Sequence, residues 1–280
     1  MILLGYRDHN VHELVCHEIA ARAGYYDRLG IDVKAVSGTD HPEAALSAGL
    51  GGSLVETLRG QRRWKVALVH TLHPLFWIWT RNGSTRSAGP AVVAGHPEGS
   101  IVCAFTQRML SYRWAGRDAP SMLRFPAGSA GDRKRLEALR SGEADAAVLG
   151  SAFAPGTLSR LGLAESLFFG VALRFPTAGV AVDVGKTGID HPSVRKVVAA
   201  QTAAIAKIRS RDPVALDAVA SLLHDDSGTD AQRLLSDYLS PQYGPDPRDI
   251  RAAGADAIEW LAGVLNTGGN TAADFYEAVQ

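Results

Sequence analysis

Cysteine is scarce in this 280-residue chain: Cys16 and Cys103 are the two present. They lie in helical patterns in different halves and form no Cys-x-x-Cys pair. A disulfide framework or thiolate metal site is therefore not expected, and both read as reduced thiols. Net charge is missing as well. The 29 Lys and Arg balance 29 Asp and Glu, which removes the general attraction of basic proteins for nucleic acid or acidic membranes. No apolar run is long enough to span a bilayer, so no membrane insertion is expected. No signal-peptide pattern and no lipobox-like cysteine precede the first strand-like segment. The expected location is cytoplasmic, with a periplasmic or extracellular one only if a signal has been removed. The Gly-x-x-x-x-Gly-Lys phosphate loop, the dinucleotide fingerprint after the first strand and Gly-x-Ser-x-Gly do not occur.

The chain does carry α/β alternation. Ile2-Leu3-Leu4-Gly5-Tyr6 is a short apolar run, Arg7-Asp8-His9-Asn10 is polar, and Val11, Leu14, Val15 and Ile19 recur at helical spacing until Gly24. With a strand at Val33–Val36, this is a βαβ unit. Strands are predicted at Val66–Val69 and Phe76–Thr80, and helices at Glu43–Leu46 and Ser53–Arg59. The polar stretch Asn82 to Pro90 reads as a connection between lobes. The alternation then repeats: strand Ala91–Ala94, helix Ser100–Tyr112, strand Met122–Phe125, helix Asp132–Arg140, strand Ala146–Leu149. Val180–Val184 would return the chain to the first lobe, followed by helices beginning near His191, Asp212 and Gly228 and one over Asp256–Leu265. The expected division is 1–88 for the first part of lobe 1, 89–178 for lobe 2, and 179–280 for the return and the C-terminal helices.

The segments Gly24 to Val33, Ala44-Ala45-Leu46-Ser47-Ala48-Gly49, Leu58-Arg59-Gly60 leading to Lys65–Val69, Gly95-His96-Pro97-Glu98-Gly99-Ser100, and Arg135 to Val148 together resemble the type II periplasmic-binding-protein superfamily. The aliphatic-sulfonate-binding and thiamin-pyrimidine-synthase-like proteins are the nearer resemblance. It extends to about Leu239 and implies a two-lobed α/β fold with a ligand cleft between the lobes and a helical C-terminal region. It specifies fold far better than ligand. The thiamin-pyrimidine chemistry is not carried over, because Gly51 to Thr57 holds no His and no cysteine cluster follows. The start also resembles dihydroxynaphthoate synthase, without that family's Pro and Cys in the loop.

Ligands of open α/β sheets bind beyond the carboxyl ends of the strands. That selects the loops Arg7–His12, Ser37–His41, Gly51–Ser53, His70–Phe76, Gly95–Ser100, Gly150–Ala154 and Phe175–Thr177. His9, His12, His41, His70, His73 and His96 fall on them or on the first helical turn beyond. A single histidine is ordinarily structural; six at strand ends point to acid–base work. His70, His73, His9 and His12 are the candidate catalytic residues, with Pro74 stiffening the loop of the first two. The candidate ligand-binding residues are Arg7, Asn10, His41, Gly52, Ser53, His96, Gly99, Ser100, Ser151 and Thr177. Gly51-Gly52-Ser53 and Gly95 to Ser100 bring glycine and serine to helix starts, where backbone N–H groups attract an anion. Capping is the ordinary role of such residues; Asp8, Asp40 and Glu98 lie in the same loops and could orient a His or act themselves, with capping the expected role of Asp8 and Asp40. Trp79 reads as core.

No cofactor is required by this pattern. A divalent metal could use His9, His12, His70 and His73. His12-Glu13-Leu14-Val15-Cys16-His17 is not a zinc-protease helix: five residues place the two histidines about 140° apart, where four are needed. The resulting expectation is a non-redox lyase, of decarboxylase or dehydratase type, acting on a small organic anion. The alternative is a non-enzymatic solute receptor of an importer or a ligand sensor, and a homo-oligomer is compatible with either.

Overall fold

A computed structural model describes residues 1–38, 40–82, 89–224, 228–267 and 272–278. The first segment alternates β1 (Ile2–Tyr6), α1 (Val11–Arg22), α2 (Tyr25–Arg28), β2 (Val33–Ser37), β3 (Leu46–Gly49), α3 (Leu50–Leu58) and β4 (Trp64–Thr71). The second contains β5 (Phe76–Arg81), β6 (Val92–Gly95), α4 (Ile101–Arg113), β7 (Ser121–Arg124), α5 (Ser129–Ser141), β8 (Ala146–Gly150), α6 (Pro155–Arg160), β9 (Leu163–Phe168) and α7 (Phe169–Ala172). The last adds β10 (Ala178–Asp183), α8 (Pro192–Arg209), α9 (Pro213–Leu222), α10 (Thr229–Arg233), a π-helical turn at Leu234–Leu239, and α11 (Pro247–Leu265).

These strands form two sheets, ordered β2-β1-β3-β10-β4 and β7-β6-β8-β5-β9. Each sheet is parallel through three strands and contains one antiparallel strand, which directly follows a crossing between the sheets. β10 runs against β3 and β4, and β5 against β8 and β9. The predicted βαβ unit is present, with Leu4 opposite Ala35 in the parallel β1–β2 register.

Local sequence explains α1. Asn10 is extended and its side-chain oxygen accepts from Glu13 N at 3.0 Å, satisfying one of the amides that a helix start leaves unpaired. Val11, Leu14, Val15 and Ile19 are wholly or almost wholly buried, and the helix packs on α8 and α9. Gly24, at φ 67°, ends the run in a conformation that disfavours side chains.

Two expectations change. The helix predicted at Glu43–Leu46 is a turn leading into β3. Leu46 to Gly49 is buried throughout, as suits small residues in a strand held between β1 and β10. The chain also leaves the first sheet earlier than position 88. β5 belongs to the second sheet, so the crossing lies at 72–75, and residues 83–88 of the expected connection are outside the described residues. The cause is that Phe76 to Thr80 is buried on both faces; such a run is a central strand in either sheet, and periodicity does not say which. The return crossing at 173–177 precedes β10, near the predicted Val180–Val184 strand. Trp79, 1% exposed, is core.

Candidate functional site

Both crossings pass beside a cavity of about 360 Å³ between the sheets, within the size range of small-molecule sites. The first lobe lines it with Arg7, Asp8, His12 and Glu13, with the glycines of α3, and with Thr177. The second lobe contributes Phe76, His96, Glu98 to Val102, Phe105 and Ala127.

The glycines allow close approach here. A Cβ at Gly52 would stand 2.9 Å from Arg7 Nε, and one at Gly51 would stand 3.0 Å from Ile101 Cδ1 of the opposite lobe. Arg59 Nη2 donates to the Gly99 carbonyl at 3.2 Å and His12 N to Ser151 Oγ at 2.9 Å, both across the lobes. At the entrance Arg7 is paired with Glu56, whose other oxygen accepts from Trp64 Nε1 at 2.7 Å.

On the second-lobe wall, α4 begins at the cavity. Ser100 Oγ accepts from Cys103 N at 3.2 Å and donates to the Pro97 carbonyl at 2.7 Å. The amides of Ile101 and Val102 belong to the first turn, which has no intrahelical acceptor. His96 sits beside them, 2% exposed, with neither ring nitrogen hydrogen-bonded among the described residues. Its ring meets the Phe76 edge at 5.7 Å.

On the first-lobe wall His12 Nε2 pairs with Thr177 Oγ1 at 2.6 Å, while Nδ1 has no partner among the described residues. Burial, then the nearby His70, pulls His12 down to about 3, so it is neutral. Burial likewise holds His96 well below the ordinary histidine range, with the Arg135 guanidinium adding to it. The carboxyls respond oppositely, because burial penalises whichever form is charged. Glu13 is raised to about 7 against the hydrogen bonds it accepts from Arg7 N and Asp8 N. Asp8 is raised to about 8, by burial first and then by the Asp132 and Glu13 carboxyls.

Of the predicted site residues, Arg7, His12, Gly52, His96, Gly99, Ser100 and Thr177 line the cavity. Ser151 holds the start of α1, Asn10 caps it, and Ser53 is buried against Ser47 and the Gly49 carbonyl. The other four are elsewhere. His70 is buried behind the cleft, paired with Gln201 at 2.8 Å and stacked on Tyr243. His73 meets the Gly170 carbonyl at 2.6 Å, exposed His41 pairs with Glu43, and exposed His9 meets the edge of Tyr6. The set His9, His12, His70 and His73 therefore does not converge, and among the described residues no three His, Cys, Asp or Glu side chains are grouped to hold a metal ion. No described helix is long and apolar enough to cross a membrane. Sequence alone favours capping for Asp8, beside a role in orienting a His or acting itself, and does not single out Glu13 as a site residue. For Glu13 the signal is a carboxylate among the apolar positions of a buried helix start.

No protein-family model matches the chain, and no curated protein matches its sequence. Solved structures do match. The alkanesulfonate-binding protein SsuA of Xanthomonas axonopodis pv. citri, bound to MOPS, superimposes with a TM-score of 0.73 at 15% identity, over 100% of this chain and 97% of that one. A Candida albicans gene product described as having the generic periplasmic-binding-protein fold gives 0.72 at 13% identity, over 100% and 96%. The desulfurization enzyme DszB gives 0.69 at 15% identity, over 95% and 93%. The chain has the type II periplasmic-binding-protein fold, as the sequence resemblance implied.

Proposed function

We propose that the chain binds a small organic acid between its lobes and acts on it as a non-redox lyase, of decarboxylase or dehydratase type. One observation carries this reading. Neutral imidazoles with unpartnered nitrogens, His12 and His96, stand in the same buried end of the cavity as carboxyls, Asp8 and Glu13, that hold protons near neutrality. Carboxyls that give up and take back protons near the working pH are what acid–base catalysis needs.

The anionic head group is assigned to the α4 start, where the Ile101 and Val102 amides and His96 face the cavity. The apolar body packs against Phe76, Ile101 and Phe105. Glu13, raised to about 7 and so partly ionised near neutrality, takes the proton from carbon, with His12 hydrogen-bonded to Thr177 beside it. Asp8 returns one to a leaving hydroxyl or, after loss of carbon dioxide, to the carbon that retains the electron pair. The fold supports binding and catalysis alike, since SsuA is named for alkanesulfonate binding and DszB for desulfurization.

The test is calorimetry of the full chain against a panel of small carboxylates, sulfonates and sulfinates, with mass spectrometry of each mixture. Expected are saturable binding and a product, with binding weakened at least about tenfold in His96→Gln and product lost in Asp8→Asn while binding persists. Binding without any product would establish the receptor reading instead, and absence of binding across the panel would overturn both.

A further inference from the structure

Arg7 reaches the cavity along a track of glycine. A Cβ at Gly49 would stand 2.9 Å from Arg7 Cγ, and one at Gly52 would stand 3.2 Å from Cζ, so a side chain at either position would push the guanidinium off the wall formed by α3. Laid there, Arg7 Nη2 donates to Glu56 Oε1 in an ion pair. Both residues line the cavity. Their side chains are 37% and 19% exposed, so the Glu56 charge is partly shielded from water and acts more strongly on its neighbours than a charge at an open surface.

Glu56 is held on its far side as well. Its Oε2 accepts from Trp64 Nε1 at 2.7 Å, and the buried Trp64 ring carries the Arg62 guanidinium over its face at 4.3 Å. Arg62 is fixed in turn, with Nε and Nη2 donating to Asp183 Oδ2 at 3.0 and 2.7 Å. With both oxygens engaged, Glu56 is a fixed counter-ion, and the charge of Arg7 is answered before any ligand arrives. Arg59 is the other cation lining the cavity among the described residues. It gives Nη2 to the Gly99 carbonyl at 3.2 Å, and it and Glu98 are exposed charges of opposite sign at the mouth. The entrance end therefore offers no net attraction to an anion.

We propose that Glu56 sets the charge of the ligand, admitting one acid group on an apolar body and excluding a second acid group at the entrance end. This rests on the placement of the single head group at the α4 start. A ligand with an acid at each end brings its second carboxylate beside Glu56, where it shares a guanidinium with a like charge or loses water without gaining a partner. An amide in place of that carboxylate meets neither penalty.

The experiment is calorimetry of the full chain, at constant ionic strength, with terephthalate and its monoamide and with glutarate and its monoamide. The members of each pair match in shape and differ by one charge. Wild type is expected to bind the monoamide at least about tenfold more tightly than the diacid. Glu56→Gln keeps an oxygen for Trp64 Nε1 and frees Arg7, and is expected to narrow that ratio by at least about fivefold; adding Arg7→Gln is expected to abolish the gain. Equal binding of the two members by wild type overturns the proposal, and this result stands whether or not a variant folds. A ratio unmoved in Glu56→Gln, or a gain retained in the double variant, overturns it as well. When a monoamide binds and the ratio does not move, this proposal fails alone; when no monoamide binds, the head-group placement fails and this proposal with it. Product is not read, so the lyase chemistry stands or falls separately.

Discussion

Asp8 lies in the loop before α1 and His12 in its first turn, and the same burial drives them to opposite protonation. This gives the fold a definite pH dependence. Histidines lowered on folding bind fewer protons than in the unfolded chain, so their contribution is lost as pH falls below about 6.5. Asp8 and Glu13 bind more protons folded than unfolded, so stability falls as pH rises from the ordinary carboxylate range through about 7 and about 8. The two sets oppose each other in mild acid, whereas above about 6.5 the carboxyls act alone. Tm is expected to decline from pH about 6.5 to about 8.5, and Asp8→Asn to remove much of that decline; thermal scans across this range check it. The histidines separate by place. His96→Gln is expected to weaken ligand binding while His73→Ala leaves it within about twofold, because His73 is committed to the Gly170 carbonyl outside the cavity. Calorimetry distinguishes them. That His70 and His73 are not in the cleft could not be read from spacing. They follow a buried strand as a site pair would, and only the course of that strand's end toward α8 turns His70 to Gln201.

Helices α1, α3 and α4 each present an N-terminal turn to the cleft, by different means. Asn10 and Ser100 cap with side-chain oxygens, and these were legible as polar residues before apolar periodicity. α3 uses glycine instead, leaving room for Arg7 and for Ile101. Asn10→Ala is expected to cost about 1 kcal/mol of stability, the usual value of a lost cap, measurable by urea denaturation. Gly51→Val would drive its side chain against Ile101, and overpacking of this kind costs about 1–3 kcal/mol unless the elements part. Parting the lobes relieves the clash, because Gly51 and Ile101 stand on opposite sides of the cavity. Small-angle scattering is expected to show an enlarged radius of gyration for Gly51→Val and recovery in the Gly51→Val/Ile101→Ala pair. No enlargement in the single variant would mean that the Gly51–Ile101 contact does not limit closure.

At the scale of the whole molecule, polar ties cross the cleft at His12–Ser151 and Arg59–Gly99, while Asp8 Oδ1 stands 3.8 Å from a Cβ built on Gly128 at the start of α5. Ionising Asp8 places like charges on opposite lobes. The radius of gyration of wild type is therefore expected to grow as pH rises from about 6 to about 8.5, with Asp8→Asn staying compact, again by scattering. The sequence by itself determined the α/β class, the two-lobed arrangement, most helix starts and some of the loops at the cavity, those at Arg7–His12, Gly51–Ser53, Gly95–Ser100 and Thr177, because apolar period, capping residues and glycine stops are properties of neighbouring positions. It also marked Arg7, His12, His96 and the Ser100 helix start, since strand ends bring such residues together in any open sheet. Tertiary structure alone decided that β5 belongs to the second sheet, that two histidines and not six line the cavity, and that Asp8 and Glu13 hold protons there. Each of those depends on which buried surface meets which, and on how far water is excluded when residues more than a hundred positions apart, such as His12 and Thr177, are brought against one another.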